Sequence, residues 1–350
     1  MRTRSVSPRQ FVKQNLKASS VRIEVGRSGK GFGLGVELSI IIVNWNGGEL
    51  LQSCLKSVAQ APPSVGYDII IVDNASTDQS VAWLRSADVA ALLPGIDVHI
   101  IENTDNAGFA KANNQGIAYS QAPMLFLLNP DTEVTAGAID TLITCLNSDE
   151  RIGACGPQLL NTDGSLQPSV WRNPPTAWEI LVTGLGLWRL IPRRFRGELL
   201  LGGHWDHATR RAVPLLYGAA ILAKRKMIDE VGGLDERFHM YGEDYEWCLR
   251  ITRASWQLIF EPAAAVTHHG GQFSLQRWTS MGKLRVQMNA GFQFNSYCLS
   301  RDQTIANLRA TCFVSLLQKT WYKLRGRPAE AAEIIWEMHR AELKRLTGER

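Results

Sequence analysis

Four short apolar runs, each ending on polar residues, constrain this fold more than any other feature. They are 38–43 (LSIIIV), 68–72 (DIIIV), 98–101 and 124–128 (MLFLL). A strand that is apolar at nearly every position, not at every second one, is buried on both faces. Helical patterns lie between the runs, at 49–60, 79–91 and 107–120. Alternation at this spacing predicts βαβ units, hence an α/β fold with a mostly parallel sheet and helices on both faces. Such open sheets bind ligands at the carboxyl ends of their strands. Three polar clusters fall there: 44–46 (NWN), 73–78 (DNASTD) and 129–131 (NPD).

The second half changes character. Residues 213–223 and 257–260 read as strands, 224–231 and 242–253 as helices. From 284 to 325 the pattern is helical and basic, with Arg285, Arg301, Arg309, Lys319, Lys323 and Arg325 against Asp302 alone. Residues 328–346 form an amphipathic helical pattern with Pro328 at its start. The first 36 residues are basic and Gly-rich and read as a mobile tail. A domain over 37–275 and a helical basic region over 276–350 follow.

Composition narrows the function. Of 350 residues, 45% are hydrophobic and 20% charged, with a net charge of +5, which excludes wholesale disorder. The six cysteines are widely spaced with no CxxC, so buried thiols in a reducing cytoplasm are expected over disulfides or zinc. No basic start is followed by an apolar stretch of the signal-peptide kind. The apolar segment 180–191 is shorter than the ~20 residues a membrane span needs. A soluble or peripheral chain is expected. No GxxxxGK[ST] is present, no GxGxxG follows the first strand, and no GxSxG occurs. ATPase, hydride-transfer and serine-hydrolase chemistry all lose ground. No stacking or helix-turn-helix pattern accompanies the positive charge, so nucleic acid is not an expected partner.

The clusters themselves carry chemistry. Asp73, closing the second strand, can accept an N–H from a uracil or thymine ring, while Ser76 to Asp78 read mainly as caps of the next helix. Asp131 projects from the fourth strand end, and one carboxylate with phosphate oxygens and water is a normal Mg2+ or Mn2+ environment. Glu243, Asp244 and Glu246 begin a helix whose dipole favours acids. A carboxylate there can also act as general base, and chemistry alone does not choose between Glu243 and Asp244. His268 and His269 point to opposite faces of an extended chain, so only one reaches a metal.

Taken in order, these segments resemble family 2 glycosyltransferases of the rhamnosyltransferase-like branch. The carrying residues are SIIIVNWN (39–46), IVDNASTD (71–78), NAGFAKANNQG (106–116), LLNPDTEV (127–134), GAAILAKRK (218–226), GGLDERFHMYGEDYEWCLR (232–250) and THHGG (267–271). The resemblance implies a GT-A fold, a nucleotide-sugar donor, a divalent metal (Mn2+ or Mg2+) and inversion at the anomeric carbon. It implies that Val43 and Asn44 line the nucleoside pocket and that Asp73 binds the base. Asn106, Gly108 and Asn113 would lie near the sugar and phosphates. Asn129 takes the place of the first acid in the family's DxD, leaving Asp131 as the carboxylate ligand, with His268 completing the metal site. Asp244 matches the family's base, with Glu243 and His269 as second choices for base and ligand.

The leading donor is dTDP-L-rhamnose. The implied acceptor is a growing surface glycan, often on a lipid diphosphate carrier. The basic region 283–327, and Trp178, Leu181, Leu185, Leu187 and Trp188 ahead of Arg193, Arg194 and Arg196, would suit peripheral contact with an anionic membrane at its cytoplasmic face. Two rival readings are a sugar-phosphate nucleotidyltransferase and a non-catalytic glycan-binding scaffold. The first lacks a basic Gly-rich loop after the first strand; the second would not need Asp73, Asp131, Asp244 and His268 together.

Overall fold

The computed structural model of the protein describes residues 22–26, 35–270 and 279–348. Two compact units divide the chain: Met1–Ser169 with His207–Phe273, and Val170–Asp206 with Ser274–Arg350.

The first unit holds one mixed sheet. Its strands are β1 (Arg22–Gly26), β2 (Leu38–Asn44), β3 (Tyr67–Asp73), β4 (Val98–Glu102), β5 (Met124–Leu128), β6 (Thr132–Val134), β7 (Ile152–Leu160), β8 (Leu166–Gln167), β9 (Arg211–Ala212), β10 (Ala220–Lys224) and β11 (Gln257–His268). The order is β1-β4-β3-β2-β5-β10-β7-β11-β6, with β8 beside β7 and β9 beside β11. Strands β4, β3, β2 and β5 are mutually parallel, and β11 is parallel to β7. Strand β10 runs antiparallel between β5 and β7. The α-helices of the described residues are α1 (Gly48–Gln60), α2 (Ser80–Leu84), α3 (Ala87–Leu92), α4 (Phe109–Tyr119), α5 (Ala138–Asn147), α6 (Ala177–Gly184), α7 (Arg193–Leu200), α8 (Arg225–Val231), α9 (Glu243–Arg253), α10 (Ser280–Cys298), α11 (Arg301–Leu324) and α12 (Glu330–Thr347).

Every residue of β2 is buried, as its unbroken apolar run requires. Leu38, Ile40 and Ile42 join a core cluster with Leu51, Leu55 and Val58 of α1 and Leu142 and Leu146 of α5. Ile41 faces the other way, under α4, where Gly116 comes so close that a Cβ would lie 2.5 Å from Ile41 Cγ2. Helices therefore cover both faces.

Several sequence expectations need correction. The helix expected over 79–91 is two short helices, because Ser86 leaves the helical path and accepts the Asp88 N–H as an N-cap. The strand expected over 213–223 is regular only from Ala220; the residues before it bend at Pro214 and turn at Gly218. Strand β7 gave no sequence signal, and β11 runs well past Phe260. Within the expected tail, Arg22–Gly26 pairs with β4 as an antiparallel edge strand. Residues 1–21 and 27–34, and Gly271 of THHGG, lie outside the described residues.

In the second unit, the helical stretch 284–325 is broken at Leu299. Ser300 and Gln303 form a capping box that starts α11. Helix α11 is tied to α12 by Lys319 Nζ on Glu333 Oε1 at 2.6 Å. It is tied to α6 and its approach by Asn307 Nδ2 donating to Pro175 O and Gln318 Nε2 donating to Gly184 O, both at 3.0 Å. All six cysteines are free. Among the described residues, no helix is long and apolar enough to cross a membrane.

Candidate active site

Strands β3, β2 and β5 are neighbours in register, Asn44 opposite Asp73 and Ile42 opposite Leu128. Asp73, Asn44 and Asn129 therefore stand side by side at the carboxyl edge, about 4.8 Å from strand to strand. Val43 is buried beside them.

Asp73 is held by the protein itself. Its Oδ1 accepts from Asn44 Nδ2 at 2.7 Å and from Ser76 Oγ at 2.6 Å, and its Oδ2 accepts the Ser76 N–H at 2.9 Å. Asp78 caps α2 as expected, its Oδ1 accepting the Ser80 N–H at 3.0 Å, whereas Ser76 instead laces the loop after β2 to the loop after β3, a link that Asp78 shares. Ser76 Oγ accepts the Asn46 N–H, and Asp78 Oδ2 accepts the Gly48 N–H. Asn74 reaches across to the Gly108 carbonyl at 3.3 Å. Asn106 Oδ1 accepts the Gly108 N–H, while Asn113 donates to Phe109 O one turn back. The bonds of these two asparagines are thus local.

Gly108 is required where it stands. Its φ is +88°, and a Cβ would meet His239 Nδ1 at 2.6 Å and His239 O at 2.8 Å. Gly108→Ala is expected to cost about 1–3 kcal/mol through backbone strain and displacement of His239. A lowered thermal midpoint with this variant checks it.

A second group surrounds the 217–219 segment ahead of β10. The Asn129 N–H donates to Ala219 O at 2.9 Å, and the Gly218 N–H donates to Asp244 Oδ2 at 3.1 Å. The turn after β5 and the start of α9 thus meet on one short stretch. Tyr217 lies in it. Its phenol is pushed up by partial burial of the ring and by the nearby Asp244, Tyr241, Asp131 and Glu243.

Asp131 is 2% exposed and its Oδ1 lies 3.5 Å from His268 Nε2. Behind His268 runs a chain of amides. His268 Nδ1 is 2.7 Å from Gln167 Oε1, Gln167 Nε2 donates to Asn161 Oδ1 at 3.1 Å, and Asn161 Nδ2 donates to Ser165 Oγ at 2.9 Å. With the Gln167 amide so oriented, Nδ1 is the nitrogen that donates to Gln167, and Nε2 is the one turned to the Asp131 carboxylate. A carboxylate oxygen and a ring nitrogen are both ligand types that a divalent cation accepts. The Asn129 side-chain oxygen next to them is buried without a hydrogen bond. Asp131 and His268 make a pair and not a cage: among the described residues, no three His, Cys, Asp or Glu side chains group to hold an ion. The pair fits a divalent cation whose other ligands are phosphate oxygens and water. His269 points away and bonds Glu133 Oε1 at 2.7 Å.

The two acids of α9 have different surroundings. Asp244 accepts the Gly218 and Tyr245 N–H groups, so burial raises its carboxyl while these bonds hold it back. Glu243 is buried with Oε2 unbonded; burial, then the Asp244 charge, push it up to about 8. Glu243 therefore keeps its proton to higher pH than Asp244, whose two backbone N–H bonds favour the ionised form. Glu246 is structural, paired with Arg250 at 2.6 Å. Trp247 is fully buried and donates to Gly232 O at 2.9 Å, as a core residue does. Sequence reading missed Tyr217 and Gln167: an isolated Tyr or Gln carries no motif, and Gln167 meets His268 across 101 positions.

Residues 39–211 match the family model described as Glycosyl transferase family 2. An N-acetylglucosaminyl-diphospho-decaprenol L-rhamnosyltransferase of Mycobacterium tuberculosis is 29% identical over 246 residues, 66% of this chain and 76% of its own. A low-salt glycan biosynthesis hexosyltransferase of Haloferax volcanii is 27% identical over 221 residues, 62% of each chain. Among solved structures, that of GalNAc-T7 with UDP, GalNAc and Mn2+ superposes with a TM-score of 0.51 at 18% identity. That match covers 73% of this chain but 48% of the other, and shows a shared fold alone.

Proposed function

Because this chain belongs to glycosyl transferase family 2 and has the GT-A fold, we propose that it moves L-rhamnose from dTDP-L-rhamnose to a hydroxyl of a lipid-linked surface glycan, with inversion, at the cytoplasmic face of a membrane. The observation that carries this is the convergence on the 217–219 segment of Asn129, two residues before Asp131, and Asp244, with both carboxylates close enough to raise the Tyr217 phenol. The rhamnosyltransferase relative, whose name includes a diphospho-decaprenol acceptor, supports the choice of donor and acceptor class. The nucleotidyltransferase and scaffold alternatives give way to the family.

Asp73 reads the pyrimidine N–H through Oδ2, the oxygen with the single hydrogen bond above. Val43 and Asn44 line the nucleoside pocket, and Asn106, Gly108 and Asn113 border the sugar and phosphates. Asp131 and His268 are the residues that would hold Mn2+ or Mg2+. When bound, that ion neutralises charge on the leaving diphosphate. Gln167 keeps the His268 lone pair on Nε2. Asp244 takes the proton of the acceptor hydroxyl as its oxygen bonds the anomeric carbon and the carbon–phosphate oxygen bond breaks. Glu243, already protonated, leaves Asp244 as the one available base.

Transfer onto a polyprenyl-diphosphate N-acetylglucosamine acceptor tests the proposal, with dTDP-L-rhamnose, UDP-glucose and UDP-galactofuranose as donors and mass spectrometry as readout. A rhamnosylated product is expected. Product from a UDP-hexose alone would overturn the donor, and none from any donor would sink the proposal. Gln167→Leu should weaken Mn2+ binding in the presence of dTDP by about 10–100-fold, and Gln167→Glu, which still accepts from Nδ1, should largely restore it. Calorimetry reads both.

A further inference from the structure

Exposed large apolar side chains concentrate, among the described residues, in one unit. Among the described residues, thirteen of the fourteen most exposed large apolar side chains belong to Val170–Asp206 and Ser274–Arg350, and only Tyr217 lies elsewhere. Those segments are a third of the chain. They carry 18 Lys and Arg against nine Asp and Glu, whereas the remainder carries 20 against 24. The protein's net positive charge thus belongs wholly to the unit with the exposed apolar surface.

The apolar residues form a stripe. Phe313, Leu317, Trp321 and Leu324 succeed one another at three- and four-residue steps on α11, so they share one helix face. Trp321 is 53% and Leu324 78% exposed. On the short helices, Leu190 is 82% exposed. Leu185 is exposed as well. Arginines stack on the aromatic members. Arg325 lies 4.4 Å from the Trp321 ring centroid, Arg194 4.7 Å from Phe195, and Arg189 and Arg196 4.7 and 5.0 Å from Trp188. Apolar side chains flanked by cations whose stems lie along them suit the boundary between acyl chains and headgroups.

We propose that this unit is a docking surface for an anionic phospholipid bilayer, with α11 lying in the interface and its Phe313–Leu324 stripe entering the acyl boundary. A second copy is a poor occupant, because two such cationic surfaces would repel. An anionic bilayer attracts each cation near its surface. The inference bears on the lipid-linked acceptor proposed above but stands on the second unit alone, whichever donor the first unit takes.

Flotation of the full chain with vesicles tests it. Vesicles of pure phosphatidylcholine are compared with vesicles containing one-third phosphatidylglycerol, at low and high salt. Strong, salt-sensitive binding to the anionic vesicles alone is expected. Arg193→Ser with Arg194→Ser should lower partitioning by roughly fivefold per cation removed. Leu317→Ser with Trp321→Ser, on a different element, should lower it at least as much. Donor binding by calorimetry should be unchanged in both pairs, which separates a failure here from a failure of the transferase reading. Wild-type protein that stays off anionic vesicles, or variants that partition like wild type, would overturn the proposal. So would a dimer, seen by sedimentation, that the α11 pair dissociates while vesicles are ignored.

Discussion

Asp244→Asn is expected to lower kcat by about 10²–10⁴-fold, the range a general base contributes, with donor affinity retained. Asparagine can keep a bond from the Gly218 N–H but cannot take the acceptor proton. Glu243→Gln is the informative partner. The Glu243 carboxyl, pushed up to about 8 by burial and the Asp244 charge, is already neutral at pH 7, so its amide should turn over near wild type. Equal losses in the two variants would remove the division of roles. The same group sets a stability slope. A carboxyl whose folded pKa is raised contributes stability that is fully present below its unfolded value of about 4.3 and is lost as pH rises through its folded value. Between those limits the folded protein retains a proton that the unfolded chain has released. The thermal midpoint of wild type should therefore fall more steeply than that of Glu243→Gln from pH 5 to 8.

Asp131→Ala is expected to abolish metal-dependent donor binding. The loss should exceed the about 100-fold that removal of an outer-shell partner can cost. It leaves His268 Nε2 with no anionic counterpart 3.5 Å away, so a cation there would rest on one imidazole. Calorimetry of dTDP or UDP with and without Mn2+ reads this directly. Wild type should bind more tightly with the ion, and Asp131→Ala should bind weakly and equally in both conditions. A variant that kept the full Mn2+ effect would move the metal to other residues.

The parallel half of the sheet was legible because β2, β3 and β5 are buried on both faces and so are written as unbroken apolar runs. Strand β7 was not, because close packing breaks its pattern with glycine. A Cβ on Gly153 would lie 2.8 Å from Met227 Cγ, and one on Gly156 would lie 2.9 Å from Leu216 Cδ2. The shapes that fit the neighbours erased the β-branched signature. Strand-end acids stand out in the sequence for a related reason: a carboxylate just past a buried strand has few purely structural uses. Asp73 shows the limit, since most of its bonding fixes the Ser76 turn, a fact that depends on where that turn folds back. Tyr217 was hidden inside VPLLYGAAILA, an apolar run that reads as strand throughout. Only the pairing of Ala220 with Leu128 shows where the strand begins and that Tyr217 lies outside it. The packing of α6 on α11 was equally silent, because the contact through Gln318 and Gly184 spans 134 positions.

The anomeric configuration of the product tests the central claim most directly. The proposed arrangement, with Asp244 as the one base and the diphosphate held through a cation on Asp131 and His268, allows a single displacement at the anomeric carbon. NMR of the glycoside formed from dTDP-L-rhamnose should show the configuration opposite to that of the donor. A product with the donor's own configuration would need two displacements and a nucleophile on this chain, and would contradict the assignment of Asp244 as base.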